Sequence, residues 1–240
     1  MEKLKRIGEK LAASFFPDNL NILGKIYRTD KTGRHEYTRP YQAHLGRFRN
    51  RPIKLLEIGV GGYDNPKKGG KSLRMWKSFF PEAKIFSIDI HNKSGIEEER
   101  IKIFRGSQAD ESFIKEVISH SGFLDIIIDD GSHINEHVIR TFEILFPCLN
   151  IGGVYVIEDT QTSYWPKYGG DSHDREDPRR LMNFFKNLTD SLNHQEFLID
   201  DYRPNYYDKN IVSIHFYHIL IIIHKRLNDE PSNIRHVGKI

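Results

Sequence analysis

Residues 124–165 read LDIIIDDGSHINEHVIRTFEILFPCLNIGGVYVIEDTQTSYW. Two apolar runs, Leu124–Ile128 and Val154–Ile157, each stop in acid, the first at Asp129 and Asp130, the second at Glu158 and Asp159. Between them an amphipathic pattern with Val138, Phe142, Leu145 and Phe146 on one stripe predicts a helix over roughly Asn135 to Leu149. Strand, helix and strand at this length make a βαβ unit. Its crossover is right-handed, so both strands lie parallel in one sheet with their carboxyl ends on one edge. That edge is where open α/β sheets bind ligands. Four carboxylates and His133 therefore meet at one rim, and such crowding of like charge calls for a shared cation or proton. We read the rim as a divalent-metal site.

Upstream, Ile53–Val60 reads as a buried strand running into Gly59, Gly61 and Gly62, followed by a basic loop and a helix starting near Ser72. Strand, glycine turn and helix seat a nucleotide-like ligand, because backbone amides there point at it. Glu57, Gly59, Gly61, Gly62 and Ser72 are thus cofactor candidates. The dinucleotide pattern G-x-G-x-x-G is broken, since Asp64 stands at the third glycine position. A second strand over Lys84–Ile90 carries Asp89 at its end, placed to accept hydrogen bonds from both ribose hydroxyls of an adenosine ligand. A third, Ile101–Phe104, leads to Ser107 and Gln108, where an adenine edge could sit, and Asp129 could serve the same ligand. Asp110 reads as the N-cap of a helix over Glu111–Ser119.

The flanks are less specific. Residues 1–14 predict an amphipathic helix with Leu4, Ile7 and Leu11 on one stripe, for packing or a dimer contact. The segment around Tyr27, His35, Tyr37, Tyr41 and His44 is too aromatic for a plain linker and could cover the cofactor or line an acceptor pocket. Beyond Trp165 lies a lid-like polar loop, then a helix over 176–191. Two β-rich runs, Ile211–Tyr217 and Ile219–His224, predict an antiparallel pair at the sheet edge, with His215, His218 and His224 as structural or surface histidines. Gln161, Tyr164 and Trp165 are candidates for contact with the acceptor. We expect a lead-in and cap over 1–52, a cofactor-binding domain over 53–225 and a polar tail over 226–240.

Composition narrows the class. The chain has 240 residues, 29% of them charged, and a net charge of +3. Residues 1–54 hold 13 Lys and Arg against 5 Asp and Glu, an excess of +8, so the remainder sums to −5. The cations are scattered, so nucleic acid is not expected as a partner. No apolar run is long enough to span a membrane, and the opening stretch lacks a signal-peptide core. The single cysteine, Cys148, falls in an apolar pattern and reads as packing. A cytoplasmic location is expected.

Five parallel strands with intervening helices and a closing antiparallel pair resemble the class I S-adenosylmethionine-dependent methyltransferases: α/β, Rossmann-like, with a mostly parallel seven-stranded sheet and helices on both faces. Glu57-Ile-Gly-Val-Gly61 resembles their first motif, Asp89 their ribose binder and Asp129–Asp130 their fourth motif. DDGSHINEH with VIEDTQTSYW, the lead-in YRTDKTGRHEYTRPY and the hairpin segment SIHFYH…HK resemble the metal-dependent sugar O-methyltransferases of the mycinamicin 2''-O-methyltransferase type. They are also similar to the cephalosporin hydroxylase-like family. The resemblance implies S-adenosylmethionine as methyl donor and Mg2+, or another divalent cation, held by Asp130, Glu158 and Asp159. It implies His133 as general base and a sugar hydroxyl as acceptor, on a small molecule or a glycan. The short chain and its Lys-, Ile- and Asn-rich composition point away from macrolides and towards a cell-surface polysaccharide or another glycan. Two other classes stay open on the residues alone. One is a dinucleotide-dependent oxidoreductase on the same sheet; the other is a non-catalytic nucleic-acid binder using the basic front segment. The N-terminal helix leaves a homo-oligomer as an option.

Overall fold

The computed structural model describes residues 2–232; residues 233–240, the end of the expected polar tail, lie outside the described residues. Five parallel strands come first: β1 (Lys54–Ile58), β2 (Lys84–Asp89), β3 (Ile101–Arg105), β4 (Leu124–Asp129) and β5 (Leu149–Glu158). An antiparallel pair follows, β6 (Ile211–Tyr217) and β7 (Leu220–Lys225). They form one sheet in the order β3–β2–β1–β4–β5–β7–β6, with β7 antiparallel to both β5 and β6. This is the Rossmann-like arrangement expected from the sequence.

Helices cover both faces, which is why the central strands read as nearly continuous apolar runs. On one face, Leu55, Ile126 and Val154 pack under α2 (Leu20–Tyr27), α3 (Thr38–Leu45) and α4 (Lys71–Phe79), whose Leu23, Tyr41, Trp76 and Phe79 are buried. On the other, Leu56, Ile127 and Tyr155 pack under α5 (Glu111–Ser121), α6 (Asn135–Leu145) and α7 (Leu181–Asn187) through Val117, Phe142 and Phe185. Burying each such side chain contributes about 1.5–3 kcal/mol. Asp110 caps α5 as its position suggested, accepting from the amides of Ser112 at 2.9 Å and Phe113 at 3.2 Å.

Several expected boundaries move for local reasons. α6 stops at Leu145, with Phe146 still helical in angle, because Pro147 has no N–H to continue the ladder, and β5 then begins at Leu149 rather than Val154. The helix expected over 176–191 shrinks to α7. Before it the Asp177 carboxylate, next to Pro178, accepts from the amide of Arg179 at 2.9 Å and holds a turn. The aromatic lead-in contains α2 and α3, which the sequence reading did not resolve into helices. α1 (Glu2–Ser14) is present, but its stripe of Leu4, Ile7 and Leu11 faces outward, 74%, 55% and 62% exposed, rather than packing on the body. Among the described residues, no helix is long and apolar enough to cross a membrane.

Candidate active site

Strand alternation sorts the acids at the rim. Glu57 faces the same side as Leu55, Asp130 the side of Ile126 and Ile128, and Glu158 the side of Val154 and Val156, so three neighbouring strands bring three carboxylates to one face. Asp129 follows Ile127 to the opposite face. Adjacent acids in the sequence therefore have different surroundings.

The three carboxylates surround a lysine. Lys31, on the turn after α2, has a fully buried side chain. Its ammonium donates to Asp130 Oδ2 at 2.8 Å and Glu158 Oε1 at 2.5 Å and lies 3.3 Å from Glu57 Oε1. Burial alone would lower its pKa, but the pull of Asp130, Glu158 and Glu57 raises it well above the ordinary lysine value. Burial raises the carboxyl of Glu57, and it raises that of Glu158 further, with Asp130 adding repulsion. Tyr41, on α3, donates to Glu158 Oε1, and Trp76 Nε1 donates to Glu57 Oε2 at 2.7 Å. Glu57 and Glu158 are thus anchors beneath the rim.

Asp159 turns the other way. It adopts left-handed backbone, φ 55°, as β5 ends, and its carboxylate comes up to the rim. Tyr37 donates to its Oδ1 at 2.8 Å, leaving Oδ2 3.6 Å from His133 Nε2. Asp130 Oδ1 lies 3.8 Å from the same nitrogen. Asp130, His133 and Asp159 offer ligand atoms within 4.8 Å of one another, whereas Glu158, the other acid of the expected metal set, is not in that group. Two carboxylate oxygens beside an open cavity suit a hard cation such as Mg2+, which takes one or two carboxylates and keeps other positions free. The residues present fit the ion.

A cavity of about 770 Å3 opens on this rim. Of the cofactor candidates, Gly59, Gly61, Gly62, Asp89, Ser107 and Gln108 line it; Glu57, Ser72 and Asp129 do not. Asp89 is fixed by accepting from the amides of Val60 at 3.0 Å and His91 at 2.8 Å. A Cβ at Gly61 would meet nothing within 4 Å, so the floor there is open, while one at Gly59 would lie 2.1 Å from the Asp130 carbonyl oxygen. Gln108 lines the cavity, but its amide is committed elsewhere. It donates to Asp129 at 3.1 Å and Thr141 at 3.2 Å and accepts from the amide of Ser132 at 2.7 Å. Asp129, fully buried, is the other half of that brace, and burial pushes its carboxyl up to about 7. Glu57 lies under α4 because β1 turns odd-numbered residues to that face, and Ser72, in the first turn of α4, is buried against it.

Of the acceptor candidates, Gln161 and Trp165 line the cavity and Tyr164 does not. From the aromatic lead-in His35 lines the cavity, together with Asp30 and Arg34, which were not singled out, and α6 adds His137. Lys31 was missed altogether. The available signal was physical: several buried acids at one rim need a cation, and the chain itself provides one.

No family model matches the chain. It is 46% identical over 216 residues to mycinamicin VI 2''-O-methyltransferase of Micromonospora griseorubida, covering 89% of this chain and 54% of that protein. It is 44% identical over 227 residues to 8-demethyl-8-alpha-L-rhamnosyl tetracenomycin-C 2'-O-methyltransferase of Streptomyces olivaceus, covering 93% and 60%. Among solved structures it superimposes on MycE methyltransferase from the mycinamycin biosynthetic pathway, in complex with Mg and SAH, with a TM-score of 0.88 and 43% identity. That match covers 92% of this chain and 58% of that one. The chain spans little more than half the length of these relatives.

Proposed function

The chain is a relative of the macrolide and tetracenomycin sugar O-methyltransferases and carries the class I methyltransferase fold over the stretch they share; on that premise we propose that it moves a methyl group from S-adenosylmethionine to a sugar hydroxyl with the help of Mg2+. The observation that carries this reading is the convergence of Asp130, His133 and Asp159 at the mouth of a cavity whose other wall holds Gly61 and Asp89. The relatives favour it over the dinucleotide and nucleic-acid alternatives.

In this reading Asp89 receives the ribose hydroxyls and the open floor at Gly61 admits the backbone-proximal part of the donor. Asp130 Oδ1 and Asp159 Oδ2 hold the cation, which when bound supplies Lewis acidity to a sugar hydroxyl. His133 takes the hydroxyl proton at Nε2 as the oxygen attacks the sulfonium methyl, and S-adenosylhomocysteine leaves. Lys31, Tyr41 and Tyr37 act as positioning residues: they occupy the inner oxygens of the acids, so that only the outer oxygens of Asp130 and Asp159 face the cavity. Trp165 shields the reacting centre from water and offers an apolar face to a sugar ring. Residues 1–52 serve as the cap that delivers Lys31, Tyr37 and Tyr41, and residues 53–225 as the catalytic body. The acceptor is a glycan, a glycoside or a sugar-bearing natural product.

Calorimetric titration with S-adenosylhomocysteine tests the assignment. Binding survives EDTA and Asp130→Asn but is lost in Asp89→Ala. Absence of binding to the wild type in every condition sinks the proposal. With an acceptor in hand, His133→Gln lowers kcat by about 10²–10⁴-fold while leaving S-adenosylhomocysteine affinity unchanged, since proton transfer is the step removed.

A further inference from the structure

At the far end of β7 from the acids, three imidazoles meet. His44 comes from α3, His215 from β6 and His224 from β7, and one ring nitrogen of each lies within 4.8 Å of the others. Their ring centroids are 4.4, 5.0 and 5.3 Å apart. None of the three lines the catalytic cavity. His224 pairs with Val154 and Leu220 with Glu158, so the trio stands about 13 Å along the strand from the acidic rim.

We infer that His44, His215 and His224 form a second metal site, for a divalent transition ion of the Zn2+ type. Imidazole nitrogen suits Zn2+, Ni2+ or Cu2+, whereas Mg2+ prefers oxygen, so this site and the rim select different ions. Three protein nitrogens with a solvent position in fourth place is an ordinary zinc arrangement, and the half-buried trio leaves such a position open. Burial holds all three rings below the ordinary histidine value, so at neutral pH they are in the ligating form.

Two of the three outer nitrogens, those of His44 and His215, already face a hydroxyl that can accept from them, as in known metal-bound histidines, while the third, on His224, faces a donor that must turn away. His44 Nε2 lies 2.8 Å from the Tyr217 hydroxyl, His215 Nε2 3.2 Å from Ser213 Oγ, and His224 Nδ1 3.3 Å from Arg47 Nη2. His44 Nδ1 and His224 Nε2 face each other at 2.8 Å. Arg47 can only donate, so in the metal-free protein His224 carries its proton on Nε2 and donates to His44. An entering ion takes the place of that proton, which moves to Nδ1 of the same ring, so no proton is lost overall. Arg47 keeps an acceptor, because the same Nη2 already donates to the Gly152 carbonyl at 2.9 Å. With zinc–nitrogen bonds of about 2.0–2.1 Å, His44 and His224 need part by only about half an ångström. The bound ion would tie α3, the helix that also carries Tyr41 to Glu158, to the sheet edge.

The test is calorimetric titration of Zn2+ into EDTA-stripped, desalted protein in a large excess of Mg2+, which occupies the oxygen-rich rim. The wild type and Asp130→Asn take up a single equivalent with a rise in Tm, and His215→Ala and His44→Gln take up none. If His44→Gln does not fold, His215→Ala, on the edge strand, decides alone. No stoichiometric uptake by the wild type overturns the assignment, and so does an equivalent that persists in His215→Ala or disappears in Asp130→Asn. Neither result touches S-adenosylhomocysteine binding, so this proposal and the methyltransferase reading fail separately.

Discussion

Lys31 carries more of the site than any residue the motifs point to. Its ammonium is the only protein cation bonded to Asp130 and Glu158 among the described residues; Glu158 is buried in low dielectric, while Asp130 is half-buried at the cavity wall. Removing one partner of a buried ion pair is far costlier than replacing the pair, because the charge left behind has no water. Lys31→Met therefore loses about 3–5 kcal/mol, measured by urea unfolding in EDTA. Mg2+ added back restores part of the loss if the acids then bind the ion. Asp129 gives a pH signature in metal-free protein. Its folded carboxyl is raised to about 7, so between about pH 4 and pH 7 the folded state holds a proton that the unfolded chain has released. Stability accordingly falls as pH rises through that window, by at most about 1.4 kcal/mol per unit, and levels off above it. Glu57 and Glu158 slope the same way, so Asp129→Asn flattens the curve only in part; an unchanged slope in that variant would mean the buried carboxyl is not protonated.

The element scale decides what could be read in advance. β1, β4 and β5 were legible because buried parallel strands are apolar runs, and their acidic ends were legible because an acid interrupts such a run abruptly. Alternation then divided those acids in a way no motif states: Asp130 and Asp159 face the cavity, while Glu57 and Glu158 turn beneath it and Asp129 turns away. The difference between Glu158 and Asp159 rests on one left-handed residue at the strand end, which local sequence does not announce. α2 and α3 were not legible, since their stripes are short and key polar groups on and between them, Tyr41 and Lys31, are satisfied by a partner distant in the chain. The glycine turn after β1 is more than a ligand cradle. Gly59, at φ 94°, passes against the backbone of β4, where a methyl group would lie 2.1 Å from the Asp130 carbonyl oxygen. Gly59→Ala must displace the loop that presents Asp130 and costs about 1–3 kcal/mol of conformational strain before any steric clash. Chemical denaturation measures the loss, and a stability equal to wild type would contradict the close approach.

For the whole molecule, one sheet supports both the cavity and the histidine trio, at opposite ends of β7. Ligand at the cavity stabilises the folded chain by mass action. S-adenosylhomocysteine at 100 times its Kd adds about 2.7 kcal/mol. For a chain of this size that raises Tm by roughly 5–10 °C, read by differential scanning fluorimetry. Asp89→Ala abolishes the shift, whereas His215→Ala, remote from the cavity, leaves it intact.

The lysine among the acids also imposes an order in time. Its ammonium belongs to residue 31, but Glu158 is made 127 residues later. At synthesis rates of about 5–20 residues per second the ribosome needs on the order of ten seconds to supply that partner. Until β5 emerges, the acid cage around Lys31 lacks Glu158, and the segment around α2 and α3 stays accessible to proteases and chaperones. Nascent chains stalled before residue 158 should be cut in this segment, and chains released after it should not.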